Sequence, residues 1–105
     1  MKVLNKVVGF VGAGNMASSL ISGMIKAGLK PDNIIASSPG KTHLNVLSDK
    51  FGIKTSKDNK LVFNESEIII FAVKPNVLKA VLDQYDKNAP TQQALLISVA
   101  AGIKI

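Results

Sequence analysis

Apolar residues run along this chain in two rhythms. Unbroken runs occur at Val7–Val11, Ile34–Ser37, Ile68–Val73 and Leu95–Val99, with a shorter one at Ile53–Ser56. Their length and β-branched content predict five strands. Between them, apolar side chains recur every three or four positions: Ala17, Leu20, Ile21, Met24 and Ile25; then Leu44, Leu47 and Phe51; then Val77, Leu78, Val81, Leu82 and Tyr85. That spacing predicts helices with one buried face. Gly28 is placed as a left-handed cap on the first and Gly52 as a stop on the second. A short apolar segment around Leu61, Val62 and Phe63 follows the polar turn Lys57–Lys60, with Asn59 placed to cap its first turn or to reach a ligand. Strand, helix, strand in succession through right-handed crossovers gives a parallel sheet. The unalternating run Ile68–Val73 is expected inside it, covered on both faces. Pro75 pushes Lys74 out of helical geometry, so the next helix is expected from Asn76.

The first strand breaks at Gly12-Ala13-Gly14-Asn15-Met16-Ala17. The spacing Gly12-x-Gly14-x-x-Ala17 follows the dinucleotide-binding fingerprint, in which each small residue has its own task. Gly12 permits the tight turn, Gly14 lets the main chain approach a pyrophosphate, and Ala17 keeps the helix near the sheet. Free N–H groups at Asn15 and Met16 would point at the phosphates from the positive end of the helix dipole. An ordinary strand-to-helix turn is the competing account.

The second strand ends where such folds select their cofactor, since a carboxylate about twenty residues past the loop binds the ribose hydroxyls of NAD. Here Ser37-Ser38-Pro39-Gly40-Lys41 carries no acid. Hydroxyls and a lysine suit a 2′-phosphate, so NADPH is favoured, with NADH as an alternative; a plain turn would show the same composition. Lys74 leaves the Ile68–Val73 strand at the carboxyl edge of the sheet, as a cofactor contact or a surface lysine. Ala100-Ala101-Gly102 would admit a flat ring or serve close packing. His43 lies off the apolar stripe and receives no catalytic role.

The remaining composition narrows the classes. With 105 residues the chain is one domain over 1–105, and the absence of cysteine removes disulfides and thiolate metal sites, so no metal is expected. The net charge of +6 comes from lysines without arginine, scattered rather than clustered, so no nucleic-acid partner is expected. No signal peptide and no membrane-spanning run are seen, which points to a cytoplasmic protein.

Taken with the glycine loop, Ala36-Ser37-Ser38-Pro39, Phe71-Ala72-Val73-Lys74-Pro75 and Ser98-Val99-Ala100-Ala101-Gly102 make nearly the whole chain resemble the N-terminal part of pyrroline-5-carboxylate reductase. The resemblance implies an α/β, Rossmann-type doubly wound parallel sheet, with the family's C-terminal helical, dimerising domain absent. It implies hydride transfer from NAD(P)H to the C=N bond of 1-pyrroline-5-carboxylate, the last step of proline biosynthesis, in an enzyme that is a homo-oligomer at full length. By position, Ala13, Asn15 and Met16 would hold the pyrophosphate, Ser38 and Asn59 the 2′-phosphate end, and Val73, Lys74, Pro75 and Ala101 the nicotinamide side. No catalytic residue is named, because the substrate pocket belongs to the absent part. Gly40 falls where some members carry an acid, which leaves the cofactor preference open. In the strand order 3-2-1-4-5, Leu95–Val99 becomes an exposed apolar edge, so self-association is expected. Other readings are a different imine or β-hydroxyacid reductase, a free-standing nucleotide-sensing module, and a bare interaction domain.

Overall fold

A computed structural model describes residues 6–87 and 95–98, with the side chains of Asp86 and Lys87 left out. The expectations placed on Val99, Ala100, Ala101 and Gly102 lie outside the described residues.

Five parallel strands form one sheet in the order β3-β2-β1-β4-β5, as expected. The strands are β1 (Val8–Val11), β2 (Ile34–Ser37), β3 (Lys54–Ser56), β4 (Ile68–Phe71) and β5 (Leu95–Ser98). The helices are α1 (Asn15–Lys26), α2 (Lys41–Phe51), α3 (Asn59–Glu65) and α4 (Pro75–Lys87).

The strands β1 and β4 are buried at every residue, and alternation sorts their side chains into two cores. Val8, Phe10, Ile68 and Ile70 meet Ala17 and Ile21 of α1 and Leu44 and Leu47 of α2 on one face. Val11, Ile69 and Phe71 meet Val62 and Phe63 of α3 and Val81 and Tyr85 of α4 on the other. The sheet is therefore doubly wound, which explains why its inner strands read as continuous apolar runs.

Helix ends follow the predicted chemistry. Gly28 has φ +112°. Its N–H donates to the Ile25 carbonyl, and that of Leu29 to Met24, both at 3.0 Å, giving a Schellman ending. Gly52 closes α2 at φ +71°.

Several local expectations change. Asp58, not Asn59, caps α3, its carboxylate accepting from the Lys60 N–H at 2.9 Å; this leaves the Asn59 amide available elsewhere. Leu29, which follows the Gly28 cap, is buried in the α1/α2 core. The helix α4 begins one residue earlier than expected, at Pro75, whose fixed φ and missing N–H suit a first helical position. It continues through Asp86 to Lys87. Val77, expected on the buried stripe, is exposed.

Gly9 also has a role that strand patterning does not reveal. A Cβ there would collide with Ser66 Oγ and stand 2.6 Å from Val62 Cγ1. The end of α3 packs directly onto bare backbone at this point.

Candidate functional site

The carboxyl ends of β1, β2 and β4 are tied together beyond the strands proper. Gly12 N–H donates to the Ser37 carbonyl at 2.8 Å, Ala72 N–H to Val11 at 2.9 Å, and Ser38 N–H to Ser56 at 3.1 Å. These bonds fix one rigid rim. Beyond it opens a cleft of about 750 Å³. It lies where the strand order reverses at β1, the place at which open α/β sheets bind ligands.

The floor is the glycine loop. Gly12 has φ +109°, and a Cβ on it would stand 2.5 Å from the Ala72 carbonyl oxygen. Both backbone conformation and space therefore require glycine. Gly14 differs: its φ of −81° suits any residue. A Cβ there would meet nothing within 4 Å. The space that glycine leaves at this position opens to the cleft, as close approach by a ligand requires.

Gly14 is also the N-cap of α1, without a side-chain capping bond and with no acidic residue in the first turn. The first intrahelical bond is donated by Ser18 N–H to Gly14, at 3.0 Å. The N–H groups of Asn15, Met16 and Ala17 precede it and have no partner within the helix, so they offer donors to an anion. Asn15 and Met16 are exposed, whereas Ala13 and Ala17 are buried against the sheet. The latter two contribute backbone and close packing.

One wall carries the polar groups. Ser37, Ser38 and Pro39 line it from β2, and Lys57, Asp58, Asn59 and Lys60 from the start of α3. Ser37 is fully buried. Its hydroxyl donates to Asn59 Oδ1 at 2.7 Å, so its proton is committed to Asn59 and not offered to a ligand. Ser38 Oγ accepts from Gly40 N–H at a long 3.4 Å, leaving its own proton for a ligand. The expected contact thus divides, with Ser38 and Asn59 at the surface and Ser37 behind them.

A second wall, which meets the first where Asn59 touches Gln84, is Ala72, Val73 and Lys74 at the end of β4, with Val77, Ala80, Val81 and Gln84 along α4. Lys74 is exposed at the rim, and Pro75 starts the helix behind it. Ala101 lies outside the described residues.

Sequence reasoning missed part of this cleft. It chose Lys41 as the neighbouring cation, but Lys57, Lys60 and His43 are the basic groups beside Ser38 and Asn59, together with Lys74 across the cleft. The signal was topological: β3 pairs with β2, so the turn leaving β3 emerges beside the end of β2. Asp58 is the sole carboxylate among the described cleft residues, and it is engaged as a cap. The three lysines create a field that favours an anionic ligand.

Among the described residues no helix is long and apolar enough to cross a membrane.

Comparison with known proteins gives a consistent result. The model of a family described as NADP oxidoreductase coenzyme F420-dependent matches residues 7–102. A pyrroline-5-carboxylate reductase of Methanosarcina acetivorans is 46% identical over 102 residues, covering 96% of this chain and 37% of that protein. The chain thus spans little more than a third of such relatives. A pyrroline-5-carboxylate reductase from Coxiella burnetii superposes with a TM-score of 0.86 at 28% identity, covering 94% of this chain and 37% of that one. The Plasmodium falciparum pyrroline carboxylate reductase, solved with NADP bound, gives 0.73 at 28% identity, over 97% and 36%.

Proposed function

Because this chain belongs to the family described as NADP oxidoreductase coenzyme F420-dependent, we propose that it is the dinucleotide-binding part of a pyrroline-5-carboxylate reductase. It holds NADPH, or less tightly NADH, for reduction of 1-pyrroline-5-carboxylate to proline. The observation that carries this reading is Gly14: an open Cβ position at an uncapped helix start, in the same cleft as Ser38 and Asn59. Relatives with that name support the substrate.

In this reading Gly12, Ala13, Gly14, Asn15, Met16 and Ala17 form the pyrophosphate cradle, through backbone N–H groups and the absence of side-chain bulk. Ser38 and Asn59 donate to the 2′-phosphate end, while Ser37 holds Asn59. Val73, Lys74 and Pro75 border the nicotinamide side, with Ala101 assigned there by resemblance.

The bound cofactor supplies the hydride. The chain's own task is orientation and exclusion of water, which in suitable cases contributes on the order of several kcal/mol to a barrier. The substrate imine, once protonated, is already electrophilic, so no nucleophile or metal is invoked. Residues 1–105 act as one cofactor domain, without turnover on their own. A cytoplasmic, homo-oligomeric enzyme acting on a small molecule, with neither nucleic acid nor membrane as partner, completes the proposal. The exposed edge at Leu95–Ile97 supports association between chains.

Calorimetric titration of NADPH and NADH into the chain tests the reading. Saturable binding, tighter for NADPH and abolished by Gly14→Val, is expected. No binding by folded protein would overturn it.

A further inference from the structure

We propose that Gln84 is a positioning residue for cofactor capture, holding the Asn59 amide in its cleft-facing orientation; the role rests on the dinucleotide reading above. The Asn59 side chain is held at both ends. Its Oδ1 accepts from the Ser37 hydroxyl at 2.7 Å, and its Nδ2 donates to Gln84 Oε1 at 2.9 Å. Ser37 is itself fully buried in β2, with its hydroxyl also 3.5 Å from the Phe10 carbonyl. One chain of hydrogen bonds therefore links the end of β2, the first residue of α3 and the last turn of α4.

The amide has two N–H donors and two lone pairs. One donor goes to Gln84 and one lone pair to Ser37. The second N–H is left for a ligand oxygen, beside Ser38 and Lys57 in the same cleft. Its direction is set by the first. The terminal torsion of asparagine is broad, so without the Gln84 oxygen the nitrogen end turns freely and that freedom must be lost on binding.

Gln84 reaches this point because Val77, Ala80 and Gln84 fall on one stripe of α4 facing the cleft, next to Val81 and Tyr85, which are buried. Gln84 is exposed, so water competes with its bond to Asn59 while the cleft is open. A ligand that covers the pair removes this competition and strengthens the bond. The contribution is thus to binding more than to folding.

A double-mutant cycle tests the role. Gln84→Met keeps length and removes the oxygen, and NADPH affinity is measured by calorimetry with Asn59 intact and in Asn59→Ala. We expect about a three- to tenfold loss with Asn59 intact and almost none in Asn59→Ala, because the effect passes through that amide. Equal losses in both backgrounds, or none in either, would overturn the role of Gln84 while leaving the site intact. Failure of the unaltered chain to bind NADPH would instead overturn the dinucleotide reading, and this role with it.

Discussion

Gly12 and Ala72 meet backbone to backbone across the end of the sheet, so closely that a Cβ on Gly12 would stand 2.5 Å from the Ala72 carbonyl oxygen. Two residues later, at Gly14, the chain faces open space. The pair Gly12→Ala and Gly14→Ala should therefore separate folding from binding. Gly12→Ala is expected to destabilise the chain by about 2–4 kcal/mol, from a left-handed conformation and a backbone clash together. Gly14→Ala should leave the melting temperature near its original value while weakening NADPH by roughly tenfold or more, about 1.4 kcal/mol per decade. Thermal melts and titrations on both variants check this.

The contact between Gly9 and α3 predicts a second stability effect. Gly9→Ala places a methyl group against Ser66 Oγ and 2.6 Å from Val62 Cγ1. Denaturant unfolding should show a loss of about 1–3 kcal/mol, the usual cost of overpacking. Adding Ser66→Ala removes the nearest obstructing atom and should recover part of that loss. Strict additivity of the two changes would contradict the packing described.

The cleft's outer wall depends on the meeting of α3 and α4. The rings of Phe63 and Tyr85 lie edge to face, with centroids 5.3 Å apart and planes at 85°. Phe63 of α3 is buried in the core it shares with the sheet and with Val81 and Tyr85 of α4. Phe63→Ala should cost about 3–5 kcal/mol. Phe63→Leu, which keeps more of the volume, should cost less and weaken NADPH as the wall loosens, measurable by unfolding and titration on the same sample.

Charge at the polar wall gives a cofactor-specific prediction. Lys57→Gln and Lys60→Gln should each weaken NADPH by about two- to fivefold and NADH less, because exposed lysines act mainly on the extra phosphate through a screened field. The difference should shrink as salt rises. Equal effects on both cofactors would place the 2′-phosphate elsewhere.

The edge strand β5 presents Leu95, Leu96 and Ile97 at 52%, 39% and 39% exposure. Such an edge pairs readily with another chain. Sedimentation at rising concentration should show mass above the 11.1 kDa of one chain. Ile97→Lys should shift the distribution back toward the monomer. A clean monomer at high concentration would contradict the expectation.

What the sequence by itself determined is local and periodic. Continuous apolar runs and a 3.6-residue period specify strands and helices through burial. Gly12, Gly28 and Gly52 mark turns because positive φ is costly for other residues. The order of these elements determines the parallel sheet, since crossovers have one hand. The glycine loop was legible for the same reason: all its parts lie within a few residues of one another.

What only the tertiary structure decided involves residues distant along the chain. That Asp58 caps α3 releases Asn59 to bridge Ser37 and Gln84, 22 and 25 residues away. That Ser37 is sealed behind Asn59 while Ser38 faces the cleft depends on which side of β2 the helix α3 covers. That Lys57 and Lys60 replace Lys41 as neighbours of the serines follows from the pairing of β3 with β2. Hydrophobic pattern reports whether a residue is buried, but not which polar partner waits for it across the fold. That choice belongs to packing, where backbone contact at Gly9 and Gly12 brings separate elements within hydrogen-bonding reach.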